Sequence, residues 1–339
     1  MRQHAGQEWS YGEGSEGIVF CVGLSRNESE QEMVASYYRT NPEHATKSDL
    51  EGENFYRRFI YQGLPEERQK LEEIERPEVV RALLSATEQG ATDIVGSASD
   101  LEYSDEKYAS PSYWMDLKSE RSSNFQRALD TSIGVLSVAG VEIAKTRMYG
   151  AASFGLLSAS DKLIDDIDIV IAQDRLEEFR EAMTLLRTGF EWSEIDPHQR
   201  LPERRQIQKA KRWSTSQIRL TAPYPMSIDL KVARTSGSIS LWDGLNTTPM
   251  IEQHRFDGSL RVIDDDEGYS TSPALTCEDQ EGNPRSLLLR GYQYIGTAVA
   301  GDVVHVAGVT NLDDPTAPIL VTQSENDSLI PDMTSVDVR

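Results

Sequence analysis

The segment 164–171, with the sequence IDDIDIVI, constrains this chain more than any other. Side chains of an extended strand alternate between its two faces. Asp166 and Asp168 are therefore predicted to share one face, while Ile167 and Ile169 point into a core. Two neighbouring carboxylates on a rigid strand repel each other unless a cation lies between them. Oxygen ligands of this kind suit Mg²⁺ or Mn²⁺.

A second segment, 226–232, has the sequence MSIDLKV and shows the same alternation. Ser227, Asp229 and Lys231 are predicted to share one face, with the apolar residues between them facing a core. On a neighbouring strand, Asp229 would add a third carboxylate to a metal site. Lys231 would lie beside it, where it can meet a phosphate.

A turn of small residues, Gly150–Ser153, precedes the acidic strand and is predicted to open a short helix. Without bulky side chains, the backbone N–H groups of such a turn can approach phosphate oxygens closely. Gly150, Ala151 and Ser153 are therefore candidate nucleotide-binding residues.

These three parts together resemble the DNA polymerase β-type nucleotidyltransferase superfamily, over about residues 123–232. The resemblance implies an α+β fold with a mixed sheet, and two Mg²⁺ (or Mn²⁺) ions held by Asp166 and Asp168. It also implies that Asp229 binds the ion that activates the attacking hydroxyl, and that the turn at Gly150 meets the β- and γ-phosphates of a nucleoside triphosphate. The chain departs from the family at Gly150-Ala151, where Gly-Ser or Gly-Gly is usual.

The alternative is that the acidic strand is only a solvated strand end in a very acidic protein. Chance acidic pairs do occur in this chain, as at 264–266 and 313–314. The apolar strand behind Asp166 and Asp168, the glycine turn before them and the third carboxylate at Asp229 favour the catalytic interpretation.

The chain has 56 acidic and 34 basic residues, a net charge of -22. The acidic residues are spread along the chain, as in the proteins of salt-accumulating, halophilic archaea, where salt screens the self-repulsion. An ordinary acidic protein with solvated loops is the alternative. Because the charge then reflects the solvent, it does not exclude a nucleic-acid partner.

A basic stretch interrupts this acidity between the two acidic strands, and it is a candidate contact for triphosphate or for a nucleic-acid backbone. It could equally pair with the surrounding acidic residues. Its members are Arg204, Arg205, Lys209, Lys211 and Arg212.

We predict four regions: a mostly helical region with one early strand at 1–120, a nucleotidyltransferase core at 121–245, an all-β module at 250–325 and a tail at 326–339. The module resembles an OB-type barrel, chiefly through the segment GDVVHVAG at 301–308. Such barrels bind single-stranded nucleic acid, and Tyr269, Tyr292, Tyr294 and Arg290 are candidate contacts. Tyrosines half-buried in a barrel wall are the alternative.

The predicted function is the metal-dependent transfer of a nucleoside monophosphate from a nucleoside triphosphate to a hydroxyl, with RNA or DNA as acceptor. The alternatives are a catalytically decayed, nucleic-acid-binding relative and an enzyme that nucleotidylates a protein or small molecule. No apolar run approaches the roughly twenty residues that span a bilayer. We therefore expect no membrane partner and a cytoplasmic location.

The halophilic interpretation makes a prediction about stability. The melting temperature should rise steeply between low and molar KCl, because salt screens the repulsion among 56 acidic side chains. Circular dichroism melts across a KCl series measure this. A melting temperature indifferent to salt would contradict it.

Overall fold

The alternating apolar segments fold into several β-sheets with few helices. The structure is a computed structural model that describes residues 8–14, 17–25, 31–57, 94–96, 98–103, 105–116, 123–158, 166–193, 217–222, 226–234, 254–271, 273–289, 294–311, 316–321 and 327–332. The strands are β1 Tyr11–Glu13, β2 Ile18–Ser25, β3 Gln31–Arg39, β4 Lys47–Ser48, β5 Asn54–Arg57, β6 Ile94–Gly96, β7 Glu102–Tyr103, β8 Thr146–Met148, β9 Leu157–Ser158, β10 Asp166–Ala172, β11 Glu191–Ser193, β12 Gln217–Ala222, β13 Met226–Ala233, β14 His254–Asp264, β15 Ala274–Glu278, β16 Pro284–Leu289, β17 Val303–Thr310, β18 Ile319–Val321 and β19 Ser328–Pro331. The α-helices are α1 Glu106–Ala109, α2 Pro111–Asp116, α3 Ser123–Val138, α4 Gly150–Ser153 and α5 Leu176–Gly189.

A central five-stranded sheet carries both acidic strands, in the order β11-β12-β13-β10-β8. β10 and β13 are parallel, while β8 and β12 run antiparallel to their neighbours, so the sheet is mixed. Ile167, Ile169 and Ile171 are buried in one core with residues of α3 and α5. The predicted apolar face of the acidic strand is thus confirmed.

The two long helices cover that apolar face. Helix α3 buries Phe125, Leu129, Ile133 and Leu136, which recur at the spacing of one helix face. Helix α5 contributes a similar apolar stripe that includes Phe179. The spacing of the apolar residues in the sequence predicts both helices, at about 123–139 and at 175–188. Together they leave the opposite, acidic face of the sheet for other contacts.

A separate N-terminal sheet corrects the prediction of a mostly helical region at 1–120 for the described part of that region, which is largely strands. Its eight strands are β1 to β7 and β9. The pattern from Glu28 to about Leu84 predicts mostly helix, but 31–39 and 54–57 are paired strands. Short apolar runs rich in Val, Tyr and Phe do not distinguish helix from strand by periodicity alone. Proline at the first helical position also predicts helices that begin at Pro65 and Pro77, and both lie outside the described residues.

The C-terminal strands close into a five-stranded β-barrel, so that part of the prediction is confirmed. β14 pairs with β15, β15 with β16, β16 with β18, β18 with β17, and β17 again with β14. Alternating residues such as Leu260, Leu275 and Val304 fill its core. The predicted tail at 326–339 is wrong at its start, because β19 pairs with β17 and buries Leu329.

One buried carboxylate, that of Glu8, joins the three sheets. It accepts hydrogen bonds from the backbone N–H of Arg234, just after β13, and from the backbone N–H of Thr271, in the connection between the barrel strands β14 and β15, both at 2.8 Å. The carbonyl oxygen of Glu8 also accepts a hydrogen bond from Arg147 in β8. A buried carboxylate is costly unless it is hydrogen-bonded, so these partners hold the N-terminal segment, the central sheet and the barrel together.

A second set of contacts docks the barrel on helix α5. The guanidinium of Arg180 lies 2.9 Å from the buried carboxylate of Asp265. The rings of Phe179 and Tyr269 meet edge to face, with 4.7 Å between their centroids. Burial raises the pKa of Asp265, and the Arg180 guanidinium opposes that shift.

Within the described ranges, no helix is both long enough and apolar enough to cross a membrane.

The core behind the acidic strand makes a prediction about stability. Ile169→Ala removes a fully buried side chain and should lower the free energy of unfolding by about 2–5 kcal/mol, because it leaves a cavity. Urea denaturation in molar KCl measures this. The matched control is Val138→Ala at the exposed end of α3, which should change it by no more than about 0.5 kcal/mol. Equal effects of the two substitutions would contradict the assigned face.

Candidate metal and nucleotide site

The parallel pairing of β10 with β13 brings the predicted acidic residues together. Its register places Asp168 opposite Asp229 and Asp166 opposite Ser227. Neighbouring strands lie about 4.8 Å apart, and opposite residues point to the same face. All three aspartates are partly exposed, whereas the residues between them are buried. The three carboxylates therefore lie on the sheet face opposite the helices, as the alternation predicted.

The glycine turn contacts the acidic strand directly. The backbone N–H of Tyr149 donates a hydrogen bond to the carbonyl oxygen of Asp168, at 3.0 Å. Gly150 has a φ of +67°, and a Cβ atom at this position would overlap Oδ2 of Asp168. Only glycine allows both this backbone conformation and this approach. The turn and the carboxylate thus form one unit.

Ala151 and Ser153 lie in the short helix α4 but are buried. Ala151 belongs to the apolar core that faces the N-terminal sheet. The hydroxyl of Ser153 donates a hydrogen bond to the carbonyl oxygen of Gly150, at 2.9 Å. Among the three predicted nucleotide-binding residues in the turn, Gly150 closely approaches the carboxylate of Asp168.

Lys231 extends along the same face as Asp229, as predicted, and forms an ion pair with it. The distance from Nζ to Oδ1 of Asp229 is 2.7 Å, and the side chains are 4% and 16% exposed. The ammonium also lies 5.9 Å from the centre of the Trp9 ring, within the range of a cation–π interaction. This lysine is therefore a fixed positive charge inside the acidic cluster.

Tyr149 is a residue of this site that the sequence reasoning missed. Its side chain is buried, and its ring lies 5.2 Å from that of Trp9. Burial raises the pKa of the Tyr149 hydroxyl, and the neighbouring carboxylates of Asp229 and Asp168 raise it further. The hydroxyl is thus a neutral hydrogen-bond donor beside two carboxylates. The sequence signal that could have identified Tyr149 is its position directly before Gly150.

Trp9 is the second missed residue, and it lies just before strand β1 of the N-terminal sheet. Its indole N–H donates a hydrogen bond to the carbonyl oxygen of Val232, at 3.2 Å. Val170 and Ala233 continue the acidic face along β10 and β13, and they share a core with Trp9 and Tyr11. The N-terminal sheet therefore covers one end of the acidic face and forms the opposite wall of the site.

The donor set fits a hard cation only in part. Asp166 and Asp168 are two carboxylates on one strand face, and Mg²⁺ is typically held by one or two carboxylates together with substrate phosphates. Asp229 already has the Lys231 ammonium at 2.7 Å. Among the described residues, no three His, Cys, Asp or Glu side chains form a group that could hold a metal ion.

Most of the candidate nucleic-acid contacts cannot be placed relative to this site. Arg204, Arg205, Lys209, Lys211 and Arg212 lie outside the described residues, as do Arg290 and Tyr292. Tyr269 and Tyr294 are 2% and 3% exposed. Their prediction as base-stacking residues is wrong, because both rings fill apolar cores.

The comparisons with known proteins add little to this geometry. No protein-family model matches the chain, and no curated protein matches it. The crystal structure of the tetrameric p202 HIN2 matches with a TM-score of 0.21 and 10% sequence identity, over 34% of this chain and 64% of that one. The chain thus spans less than two thirds of that structure, and so weak a likeness carries no argument.

The contact between Gly150 and Asp168 makes a prediction. Gly150→Ala should lower the free energy of unfolding by at least about 1–2 kcal/mol, because an L-residue is strained in the left-handed region and its Cβ would overlap the Asp168 carboxylate. Chemical denaturation in molar KCl measures this.

Gly134→Ala is the matched control. Gly134 lies inside helix α3, with no heavy atom within 4 Å of the added Cβ. Alanine there should stabilise the protein by about 0.5–1 kcal/mol. If both substitutions stabilised the protein, the close approach at Gly150 would be refuted.

Proposed function

We propose that this protein is a divalent-metal-dependent nucleotidyltransferase that moves a nucleoside monophosphate from a nucleoside triphosphate to a hydroxyl acceptor on nucleic acid. The observation that carries the proposal is the parallel register of β10 and β13. It places Asp168 beside Asp229 and leaves Asp166 on the same partly exposed face.

Phosphoryl transfer explains why such a face would be useful. The reaction needs little covalent help from a protein but strong neutralisation of charge and in-line positioning. Carboxylates on a rigid sheet can hold a divalent cation, which neutralises the charge that develops on the phosphate oxygens. The apolar core behind the strands keeps these carboxylates in place.

The individual residues have distinct roles in this proposal. Asp166 and Asp168 hold the divalent cation, Gly150 lets the backbone approach the triphosphate, and Lys231 places positive charge beside Asp229. The acceptor oxygen forms a bond to the α-phosphorus, and its proton passes to the Asp229 carboxylate. The bond between the α-phosphorus and the bridging oxygen breaks, and pyrophosphate leaves with that electron pair.

The barrel supports nucleic acid as the acceptor. Its closed strand order is β14-β15-β16-β18-β17, and β16 and β18 are parallel. We interpret this as an OB-like barrel, a class of small five-stranded barrels with members that bind oligonucleotides. RNA and single-stranded DNA are the proposed acceptors on this ground.

The direct test incubates the purified full-length protein in molar KCl with labelled nucleoside triphosphates, Mg²⁺ or Mn²⁺, and a pool of RNA and single-stranded DNA. Label on nucleic acid is the expected result. Label on the protein itself or on a small molecule would show that the acceptor is not nucleic acid, while the protein would still be a nucleotidyltransferase. Absence of label with either metal would contradict the enzyme and favour a decayed relative that only binds nucleic acid.

Two substitutions test the acidic residues of β10. Asp166→Asn and Asp168→Asn should each lower the rate of label transfer by at least about 100-fold, as is typical when a group that stabilises transition-state charge is lost. The control is Asp174→Asn, an exposed acidic residue just beyond the same strand, which should leave the rate unchanged. Melting temperatures of the three variants separate loss of activity from loss of fold. Full activity of Asp168→Asn would refute the assignment.

A further inference from the structure

Resting on that proposed function, we propose that this site takes one divalent cation, at Asp166 and Asp168. The ammonium of Lys231 replaces a second cation at Asp229. Two-metal sites hold their ions about 4 Å apart and use the second ion at the attacking oxygen. In this chain, a lysine of the protein itself lies at that place.

The first support is the geometry of β13. Asp229 and Lys231 are two residues apart on one strand and therefore share a face. Nζ of Lys231 lies 2.7 Å from Oδ1 of Asp229, and both side chains are largely buried. A cation bound by that carboxylate would have to lie next to the ammonium. The like charges would repel each other strongly in a site from which water is largely excluded.

The second support is that the lysine is held in this place. Trp9 lies over the ammonium at 5.9 Å from the ring centre. The indole is itself tied to the backbone of Val232, next to Lys231 in β13. Val170 is opposite Lys231 in the strand pairing and belongs to the same apolar core as Trp9. Withdrawing the ammonium from Asp229 would leave a charge buried among these side chains, which is costly.

The third support is the charge of the cluster. The carboxylates of Asp166, Asp168 and Asp229 and the ammonium of Lys231 sum to a formal charge of minus two, which one divalent cation neutralises.

The inference gives Lys231 a role in the proposed reaction. Its ammonium would stabilise negative charge on the attacking oxygen and on the α-phosphate, without a bound ion at that position. Lysine is a compact point charge on a flexible stem, so it can stand where a metal ion would.

The test is a titration of the full-length protein with Mn²⁺ alone in molar KCl, with free Mn²⁺ measured by electron paramagnetic resonance. The double variant Asp166→Asn/Asp168→Asn is titrated in the same way, and the number of Mn²⁺ ions that it binds is subtracted to remove ions bound elsewhere on this acidic surface. We expect the wild type to bind one more Mn²⁺ per chain than the double variant, with no spin coupling between ions. Lys231→Met should bind one further Mn²⁺ and show a spin-coupled pair, and Lys231→Met/Asp229→Asn should return to one.

Two more variants control for the loss of any lysine and test whether Asp229 is a metal ligand. Lys145→Met removes an exposed lysine and should bind one Mn²⁺, like the wild type. Asp229→Asn should also keep one Mn²⁺ per chain, bound more weakly, because Asp229 is not a ligand in this proposal but its negative charge lies beside Asp168. The wild-type and Asp229→Asn results decide between one ion and two even if Lys231→Met fails to fold.

The contrary outcomes separate the two proposals. Two bound ions in the wild type, or loss of an ion in Asp229→Asn, would overturn the single-cation inference and leave the proposed metal-dependent transferase standing. A folded Lys231→Met that still binds one ion would overturn the role of Lys231 alone. No difference between the wild type and the double variant would overturn both the inference and the metal site of the proposed function.

Discussion

The parallel pairing of β10 with β13 is the constraint on which the candidate site depends. Its register sets Asp168 beside Asp229 and Val170 beside Lys231. Because side chains alternate with a period of two, a shift of one residue would send one strand's polar side chains into the core under α3 and α5. The isoleucines of β10, which fill that core, therefore hold the carboxylates on the opposite face.

The N-terminal sheet and the segment before it cover one end of this acidic face, so that the candidate site lies between two sheets. Trp9 lies over Lys231 and packs against Tyr149, while the Glu8 carboxylate ties the same segment to the residues after β13 and to the barrel. These contacts bury charged and polar groups that would be costly without partners. A region for which the sequence suggested no chemistry therefore shapes the electrostatics of the site.

Much of the central sheet could be predicted from the sequence, because its signal is local. The alternation in β10 and β13 and the helical spacing in α3 and α5 were correct. The N-terminal region was not, because short apolar runs are ambiguous between helix and strand until they find a partner. The barrel tyrosines show the same limit: Tyr269 packs against Phe179 of helix α5, a partner about ninety residues earlier that no local pattern reveals.

The sequence by itself determined which residues of β10 and β13 share a face, since strand geometry requires alternation. It also predicted a turn of small residues at Gly150, whereas the need for glycine there follows from its φ of +67° and its approach to Asp168 in the structure. Only the tertiary structure decided what those faces meet: that Lys231 pairs with Asp229 under Trp9, and that Tyr149 enters the same site. The physical reason is that Trp9 and Lys231 lie more than two hundred residues apart along the chain. Their contact depends on how two sheets pack rather than on any local pattern.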